Sequence, residues 1–571
     1  MGPARRNRRS LSRLLSPVGL LVLAGLPGAC GPSPFSRADE DYARKVALER
    51  LRQVRETPLE AWRRPEAPAP DASARAAAVR ARFEGLGEAE LTLEDCRAST
   101  LENNLDLKVA LITPTQAAER VSEEEARFES LFTLRTTWNE IDSPTASTLA
   151  SAQSRTRTFT PGVRVPMRTG GTVDVSLPVA RNENDNQFSL LNPAYTSDLQ
   201  FSISHPLLRN AGRRANTAQL RVLGYEAQAA QARTKLEVIR QVAACDRSYW
   251  RLYQARRELE VRQQQFELAM EQLGRAERRF AAGAVAEIEV VRAQAGAADR
   301  LEAIIVAQNA LLLRQRELKR IINRPGLDLE SPALVVTATP PDPAEYVIDR
   351  PDLVAGALEN RMELLELELQ IAADAVQIDL ARNQALPLVT LDYTYRINGL
   401  GGSTQDTFKT LADNDFADWE IGLSAQVPIG NEAAKSRVRQ AILSRLARLG
   451  TREARERAIR EEVLNAADTL DAAWQRILAA RQSVILNTRA LQGEQRQFEV
   501  GASTSTDVLD AAARLADAQL AEVRALTDYQ IAQVDIAFAS GTLLGASKVS
   551  WEFAPTPGVG RWGGGSEGAA E

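Results

Sequence analysis

The chain has 571 residues, of which 44% are hydrophobic, only 5% aromatic and 25% charged, with a net charge of −5. So few aromatics beside so much Ala, Leu, Gln, Glu and Arg argue against a conventional large globular core and suit long helices packed at close range. No basic patch stands clear of neighbouring acids, which argues against a nucleic-acid partner.

The chain opens on an export segment. Arg5, Arg6, Arg8, Arg9 and Arg13 precede an apolar run from Val18 to Leu26, followed by Pro27-Gly28-Ala29-Cys30. The run is shorter than the roughly 20 residues a spanning helix needs, so residues 1–29 read as a signal peptide. Small residues directly before a Cys resemble the cleavage box of bacterial lipoproteins and predict a lipid on Cys30. Ordinary signal cleavage, with Cys30 incidental, is the alternative. Residues 30–88 are polar, with a Pro-rich stretch at Pro65-Glu66-Ala67-Pro68-Ala69-Pro70, and read as lipid anchor and periplasmic extension. No later apolar run approaches spanning length. A membrane crossing must therefore be made by strands, because only helices and closed barrels satisfy their backbone polar groups in lipid.

The rest is two copies of one unit, 89–330 and 351–548, joined by a linker at 331–350 and followed by a Gly-rich tail at 549–571. Leu101-Glu102-Asn103-Asn104-Leu105-Asp106-Leu107 recurs as Leu358-Glu359-Asn360-Arg361-Met362-Glu363-Leu364, and Arg278-Arg279-Phe280-Ala281-Ala282-Gly283 as Arg496-Gln497-Phe498-Glu499-Val500-Gly501. Gly212 to Gly283 and Gly430 to Gly501 are both intervals of 71 residues, each shifted by 218. Equal length fits a helix packed along its whole course, where a loop would have drifted. No Pro falls between Pro206 and Pro325 or between Pro428 and Pro555. Apolar residues recur at three and four, as in Leu236, Ile239 and Ala243. At 1.5 Å per residue such a helix spans about 106 Å and must pack sideways to be stable. Phe-x-x-Gly then reverses the chain, and second runs at 284–323 and 502–545 lead back, so each copy ends in a long helical hairpin.

Ahead of each long helix the pattern alternates. Val389, Leu391, Tyr393, Tyr395 and Ile397 form one strand and Trp419, Ile421, Leu423, Ala425 and Val427 another. In copy one, the region of Phe132, Leu134 and Trp138 is expected to pair with Leu199, Phe201 and Ile203. This is the signature of membrane barrel strands. Copy one is longer by about 39 residues within 140–198, where Val163-Arg164-Val165 and Val173-Asp174-Val175 flank Thr169-Gly170-Gly171. That pair either adds two strands or forms an external hairpin. Four strands cannot close a barrel that leaves a pore, whereas three chains pooling theirs reach about twelve.

These motifs together resemble the TolC-type outer-membrane efflux protein family over roughly residues 90–548. They include Ser204-His205-Pro206-Leu207-Leu208-Arg209, echoed by Gln426-Val427-Pro428-Ile429-Gly430. Val500-Gly501 with Asp507-Val508-Leu509-Asp510-Ala511 matches the family's periplasmic hairpin, and Asp528-Tyr529 with Asp535 before Ser540-Gly541-Thr542-Leu543-Leu544 its closing segment. The resemblance implies a mainly α protein with transmembrane β: a homotrimer with a twelve-strand barrel, or more strands, continued by a long α-helical periplasmic barrel. It implies a passive exit duct in the bacterial outer membrane, without cofactor or enzymatic activity. The duct would serve efflux or type I secretion, in contact with a periplasmic adaptor and an inner-membrane pump. Pro206 and Pro428 would be strand-to-helix swivels, Asp507 and Asp510 carboxylate rings at the periplasmic aperture, and Gly283, Ala284, Val500 and Gly501 adaptor-docking tips. His205 reads as structural, and no metal site is expected. Cys96 and Cys245 form a disulfide or remain buried thiols. The rival reading is a coiled-coil structural lipoprotein without a pore, which leaves the strand segments unexplained.

Overall fold

A computed structural model of the protein describes Ala81, Phe83 and residues 85–145, 151–500 and 502–551, all within one compact unit, Ala72–Glu571. The signal peptide, Cys30, nearly all of the extension 30–88, Gly501 and most of the tail 549–571 lie outside the described residues.

Copy one starts with two capped helices. β1 (Glu88–Leu91) leads into α1 (Leu93–Asn103), where the Thr92 hydroxyl accepts the Asp95 N–H and the Asp95 carboxylate accepts the Thr92 N–H, both at 3.1 Å. This reciprocal cap satisfies two orphan donors of the first turn. The Asn104 carboxamide then accepts the Leu107 N–H at 2.9 Å and opens α2 (Leu105–Ala126).

A block of five strands follows: β2 (Leu131–Asp142), β3 (Gln153–Pro166), β4 (Thr172–Ser176), β5 (Val179–Asn184) and β6 (Ala194–Pro206). After the short α3 (Arg213–Asn216) come the 64-residue α4 (Ala218–Ala281) and its return partner α5 (Glu287–Ile322). β7 (Leu334–Thr337) falls in the expected linker and pairs in parallel with β1, Ala89 opposite Val335, so this stretch fastens the start of copy two to the start of copy one.

Copy two repeats the plan with α6 (Arg350–Asn360), α7 (Met362–Gln384), β8 (Leu388–Gly401), the small α8 (Thr404–Asp413), β9 (Ala417–Gln426), the 68-residue α9 (Glu432–Glu499), α10 (Ser505–Ala539) and α11 (Leu543–Ala546). α10 stops six residues short of the expected 545. Gly541 takes φ +75° there, and the Thr542 N–H reaches back to the Ala537 carbonyl at 2.9 Å, a left-handed helix stop that Gly adopts without strain.

The core is a set of seams between helices. Tyr249, Leu252, Leu318 and Ile322 are fully buried and pack with Cys96, Cys245, Phe266 and Val335. Val238, Val242 and Ala243 of α4 meet Leu107, Val534 and Leu543. Ile477 and Leu470 of α9 meet Ala525 and Tyr529 of α10. Many of the buried positions are Ala, among them Ala229, Ala230, Ala269, Ala293 and Ala297. Small side chains allow close helix approach, which explains a long packed interface built with few aromatics.

Cys96 and Cys245 are unlinked, fully buried thiols. Their mutual hydrogen bond, and then burial, push the Cys245 thiol well up, so it stays protonated. Beside them Arg97 makes a two-pronged contact with Asp246 at 2.7 and 2.8 Å.

Candidate functional site

Seven strands form one sheet in the order β2-β3-β4-β6-β8-β9, with β5 also between β3 and β6. All its pairings are antiparallel. The sequence expectation that the Phe132 strand pairs with the Leu199 strand is corrected: Phe132 lies opposite Val163, and Phe201 lies opposite Val175 and Tyr395. The additional residues of copy one intervene.

Cross-strand partners share a face, and the register sorts side chains by chemistry. One face carries Phe132, Leu134 and Trp138, then Phe159, Val163 and Val165, then Val173 and Val175. It continues with Leu199, Phe201 and Ile203, with Tyr393 and Tyr395, and with Trp419, Ile421 and Leu423. The other carries Thr133, Thr160, Ser176, Gln200, Ser202, Thr394, Arg396, Glu420 and Ser424. Most of the apolar set is solvent-exposed, and a sheet that exposes a broad apolar face is an interaction surface. Apolar outside and polar inside is the division a membrane barrel requires. Both outer strands, β2 and β9, have unpaired edges of 12 and 10 residues.

At the junction below the sheet, Pro206 is the last residue of β6, opposite Thr390, and Pro428 follows β9 by two residues. The helices start only after Gly212 (φ +85°) and after Gly430 and Asn431 (φ +87° and +52°). The prolines thus end the strands, while positive-φ residues turn the chain into the helices. His205 Nε2 lies 3.3 Å from the Thr169 hydroxyl in the β3–β4 turn, a structural contact.

At the opposite end of the helices, Gly283 takes φ +71°, and the Ala284 N–H bonds to the Arg279 carbonyl at 2.8 Å. The same bond recurs 218 residues on, from the Ala502 N–H to the Gln497 carbonyl at 2.8 Å, which flanks Gly501. Val500 is 80% exposed, and the Arg279 guanidinium sits 4.6 Å from the centroid of the Phe498 ring, joining the two hairpins near their tips.

Asp507 and Asp510 are both exposed on the first turns of α10. Asp507 closes a capping box: its carboxylate accepts the Thr504 hydroxyl at 2.6 Å and the Thr504 N–H at 2.9 Å, and its own N–H bonds to the Thr504 hydroxyl oxygen at 3.3 Å. The Thr504 hydroxyl, and then the Thr504 backbone, hold the Asp507 carboxyl below the usual carboxylate range. The box was readable in the sequence as Thr-x-x-Asp at a helix start. Copy one lacks it: the equivalents of Thr504, Asp507 and Asp510 are Ala286, Glu289 and Arg292, and Arg292 pairs with Glu289 at 2.8 Å.

Sequence reading missed a buried clamp. Arg361, 3% exposed, reaches Glu363 at 2.8 Å, Glu462 at 2.7 Å and the Ala539 carbonyl at 3.1 Å. It was hidden because Arg361 replaces Asn104 of copy one, and a charge at that place gives no periodic signal. Among the described residues no group of three or more His, Cys, Asp or Glu is placed to hold a metal, and no helix is long and apolar enough to cross a membrane.

Residues 353–542 match the family model described as outer membrane efflux protein. The chain is 28% identical over 322 residues to outer membrane protein TolC of Vibrio cholerae, covering 56% of this chain and 70% of that one. It is 26% identical over 306 residues to outer membrane protein TolC of Escherichia coli, covering 52% and 60%. Its fold is similar to the Campylobacter jejuni CmeC outer membrane channel, with TM-score 0.59 and 16% identity over 84% of this chain and 94% of that one. It is also similar to the outer membrane protein VceC of Vibrio cholerae, with TM-score 0.56 and 17% identity over 79% and 96%.

Proposed function

We infer that the chain is a passive outer-membrane exit duct for efflux, built as a homotrimer, a reading supported by the match of residues 353–542 to the outer membrane efflux protein family and by its similarity to outer membrane protein TolC. The observation that carries this reading is the sheet: apolar on one face, polar on the other, and open at both edges. Unpaired edges of this length invite pairing with another chain, and in lipid only closure satisfies them. Three copies edge to edge would enclose a polar lumen, with the long helices continuing it into the periplasm. An inert coiled-coil lipoprotein has no use for an apolar sheet face.

In this reading the lipid on Cys30 anchors the chain, and the hairpin tips at Gly283-Ala284 and Val500-Gly501 receive a periplasmic adaptor that connects to an inner-membrane pump. Asp507 and Asp510 form threefold acidic rings at the aperture, where carboxylates select for cations. Asp507 serves both purposes, since a cap on an exposed helix start leaves its charge in solvent. In this reading the duct is passive and the energy for transport comes from the partner pump.

Reconstitution tests the reading. The detergent-purified protein is expected to run as a trimer whose migration changes on heating, and to conduct ions in planar bilayers. A monomer with helix but no sheet in its spectrum, and no conductance, would overturn it.

A further inference from the structure

The 39 additional residues of copy one leave an unambiguous trace in the ladder. β2 pairs along its whole length with β3, Leu131 opposite Arg164 through Asp142 opposite Gln153. On its other side β3 meets β4, Gly162 opposite Ser176, and then β5, Phe159 opposite Val179. These two pairings share one register, since 162 with 176 and 159 with 179 give the same sum. The far side behaves alike: Thr172 faces Ser204 and Val179 faces Ser197, again one register.

β4 and β5 are therefore a single strand over 172–184. Pro161 and Pro178, which have no N–H to give, interrupt its ladder. The flanking bonds remain: the Leu177 N–H donates to the Pro161 carbonyl at 2.9 Å and the Asp198 N–H to the Pro178 carbonyl at 3.0 Å. The seven assigned strands thus occupy six lanes.

The two additional lanes have the properties of the other four. They run 14 and 13 residues, long enough for the roughly 9–11 residues of a tilted membrane strand. Phe159, Val163 and Val165 of one and Val173 and Val175 of the next continue the apolar face without a gap between Phe132 and Phe201. Thr160, Arg164, Asp174 and Ser176 continue the polar face. An external hairpin standing in water would not keep this division.

Six is even, so β2 and β9, the two free edges, run in opposite directions. β9 of one copy can meet β2 of the next in an antiparallel ladder with the apolar faces aligned.

We propose that each copy contributes six lanes to the channel wall and that the trimer closes as an eighteen-strand barrel, not a twelve-strand one. This rests on the trimeric duct reading above. Barrel size grows roughly in proportion to strand number, and at 4.8 Å spacing and about 40° tilt the backbone radius rises from about 12 Å to about 18 Å. The cross-section enclosed by the backbone increases about 2.2-fold, into the range of aqueous porins. The wall then imposes little size limit on cargo, and discrimination falls to the helical mouth, where Asp507 and Asp510 lie.

Single cysteines test the proposal in the full-length protein reconstituted in liposomes, with the labelling of the unmodified chain subtracted. Val163→Cys and Val175→Cys probe the apolar face of the added lanes, Thr160→Cys and Ser176→Cys the polar face. Tyr395→Cys and Thr394→Cys report the same two faces on β8. A membrane-impermeant maleimide is expected to label positions 160, 176 and 394 and to spare 163, 175 and 395. A fluorophore attached under denaturing conditions at the latter three is expected to be quenched by brominated lipid. If 163 and 175 label freely while 395 stays protected, the added strands stand outside the membrane and the proposal fails with the duct intact. If 395 labels as well, the barrel reading itself fails. A map of the unmodified trimer in lipid nanodiscs needs no variant: eighteen strands at about 18 Å radius support the proposal, and twelve at about 12 Å overturn it.

Discussion

Replacing Arg361 with Met removes the clamp that joins three helices of copy two. The guanidinium links Glu363 at the start of α7, Glu462 in α9 and the Ala539 carbonyl at the end of α10, and it lies 5.5 Å from the centroid of the Phe538 ring. Removing one member of a buried ion pair costs about 3–5 kcal/mol. The loss here is smaller, because Glu363 and Glu462 each keep Arg455 at 3.1 Å and Glu462 is 41% exposed. We expect about 2–3 kcal/mol, or a fall in Tm of roughly 4–12 °C for a cooperative unit of about 200 residues. Far-ultraviolet circular dichroism of the detergent-purified protein reads this directly. Combining Arg361→Met with Glu363→Gln removes the under-compensated carboxylate and should restore at least half of the loss. Burial pushes the Glu363 carboxyl up, but Arg361 and Arg455 more than reverse it, so it ends below its ordinary range. A carboxyl lowered in the folded state stabilises fully above its unfolded pKa and loses that contribution as pH falls through the folded value. The gap between the native protein and Arg361→Met should therefore narrow in acid, below about pH 4. A Tm change under about 2 °C at neutral pH, or a double variant no better than the single one, would refute the clamp.

Other outcomes follow from the tips and the thiols. Changing Asp507 and Asp510 together to Asn should abolish the cation preference of single channels in planar bilayers, and an unaltered preference would remove the acidic rings. Gly501→Arg should block export without lowering trimer yield, because it places bulk and charge at the docking tip; undiminished export would end the docking assignment. Cys96 and Cys245, unlinked in the fold, should both alkylate in denaturant without reductant. A protected pair that reacts only after reduction would show a disulfide instead.

The helical half of the fold was legible because helices constrain sequence over long stretches. The 71-residue intervals, the absence of Pro and the Phe-x-x-Gly reversals mark α4, α5, α9 and α10 almost to their ends, and Gly283 has the positive φ that such a turn asks for. The strands around Phe132, Leu199, Tyr393 and Trp419 were visible from alternation alone. Of the lane of β4 and β5 only Val173-Asp174-Val175 was visible, because Pro178 interrupts the pattern and Arg181, Asn182, Glu183 and Asn184 at its outer end alternate weakly. Pairing is non-local, and nothing in a strand's own residues names its neighbour. For the same reason the junction was only half read. Pro206 and Pro428 announce where the strands stop, but the turns into the helices belong to Gly212, Gly430 and Asn431, which carry no periodic signal. The Arg361 clamp has no local signature either, since two of its three partners lie 101 and 178 residues away in the chain.

The two copies differ where physics permits difference and agree where it does not. The intervals Gly212 to Gly283 and Gly430 to Gly501 keep one length because each long helix packs on its return partner, so a single inserted residue would rotate every contact beyond it by about 100°. The sheet tolerates insertion under a different rule. Adding one strand to copy one would reverse the direction of everything after it and set β9 of one copy parallel to β2 of the next. Adding two preserves direction, register and the alternation of apolar and polar faces, so in the proposed eighteen-strand barrel the insertion would enlarge the ring without disturbing the way copies meet. The tips obey a third rule. Their solvent-exposed positions are free to diverge in charge, and copy two has Thr504, Asp507 and Asp510 where copy one has Ala286, Glu289 and Arg292. Glu289 is neutralised by Arg292, whereas Asp507 and Asp510 are both exposed acids. In the proposed trimer the acidic rings are therefore a property of the second hairpin alone.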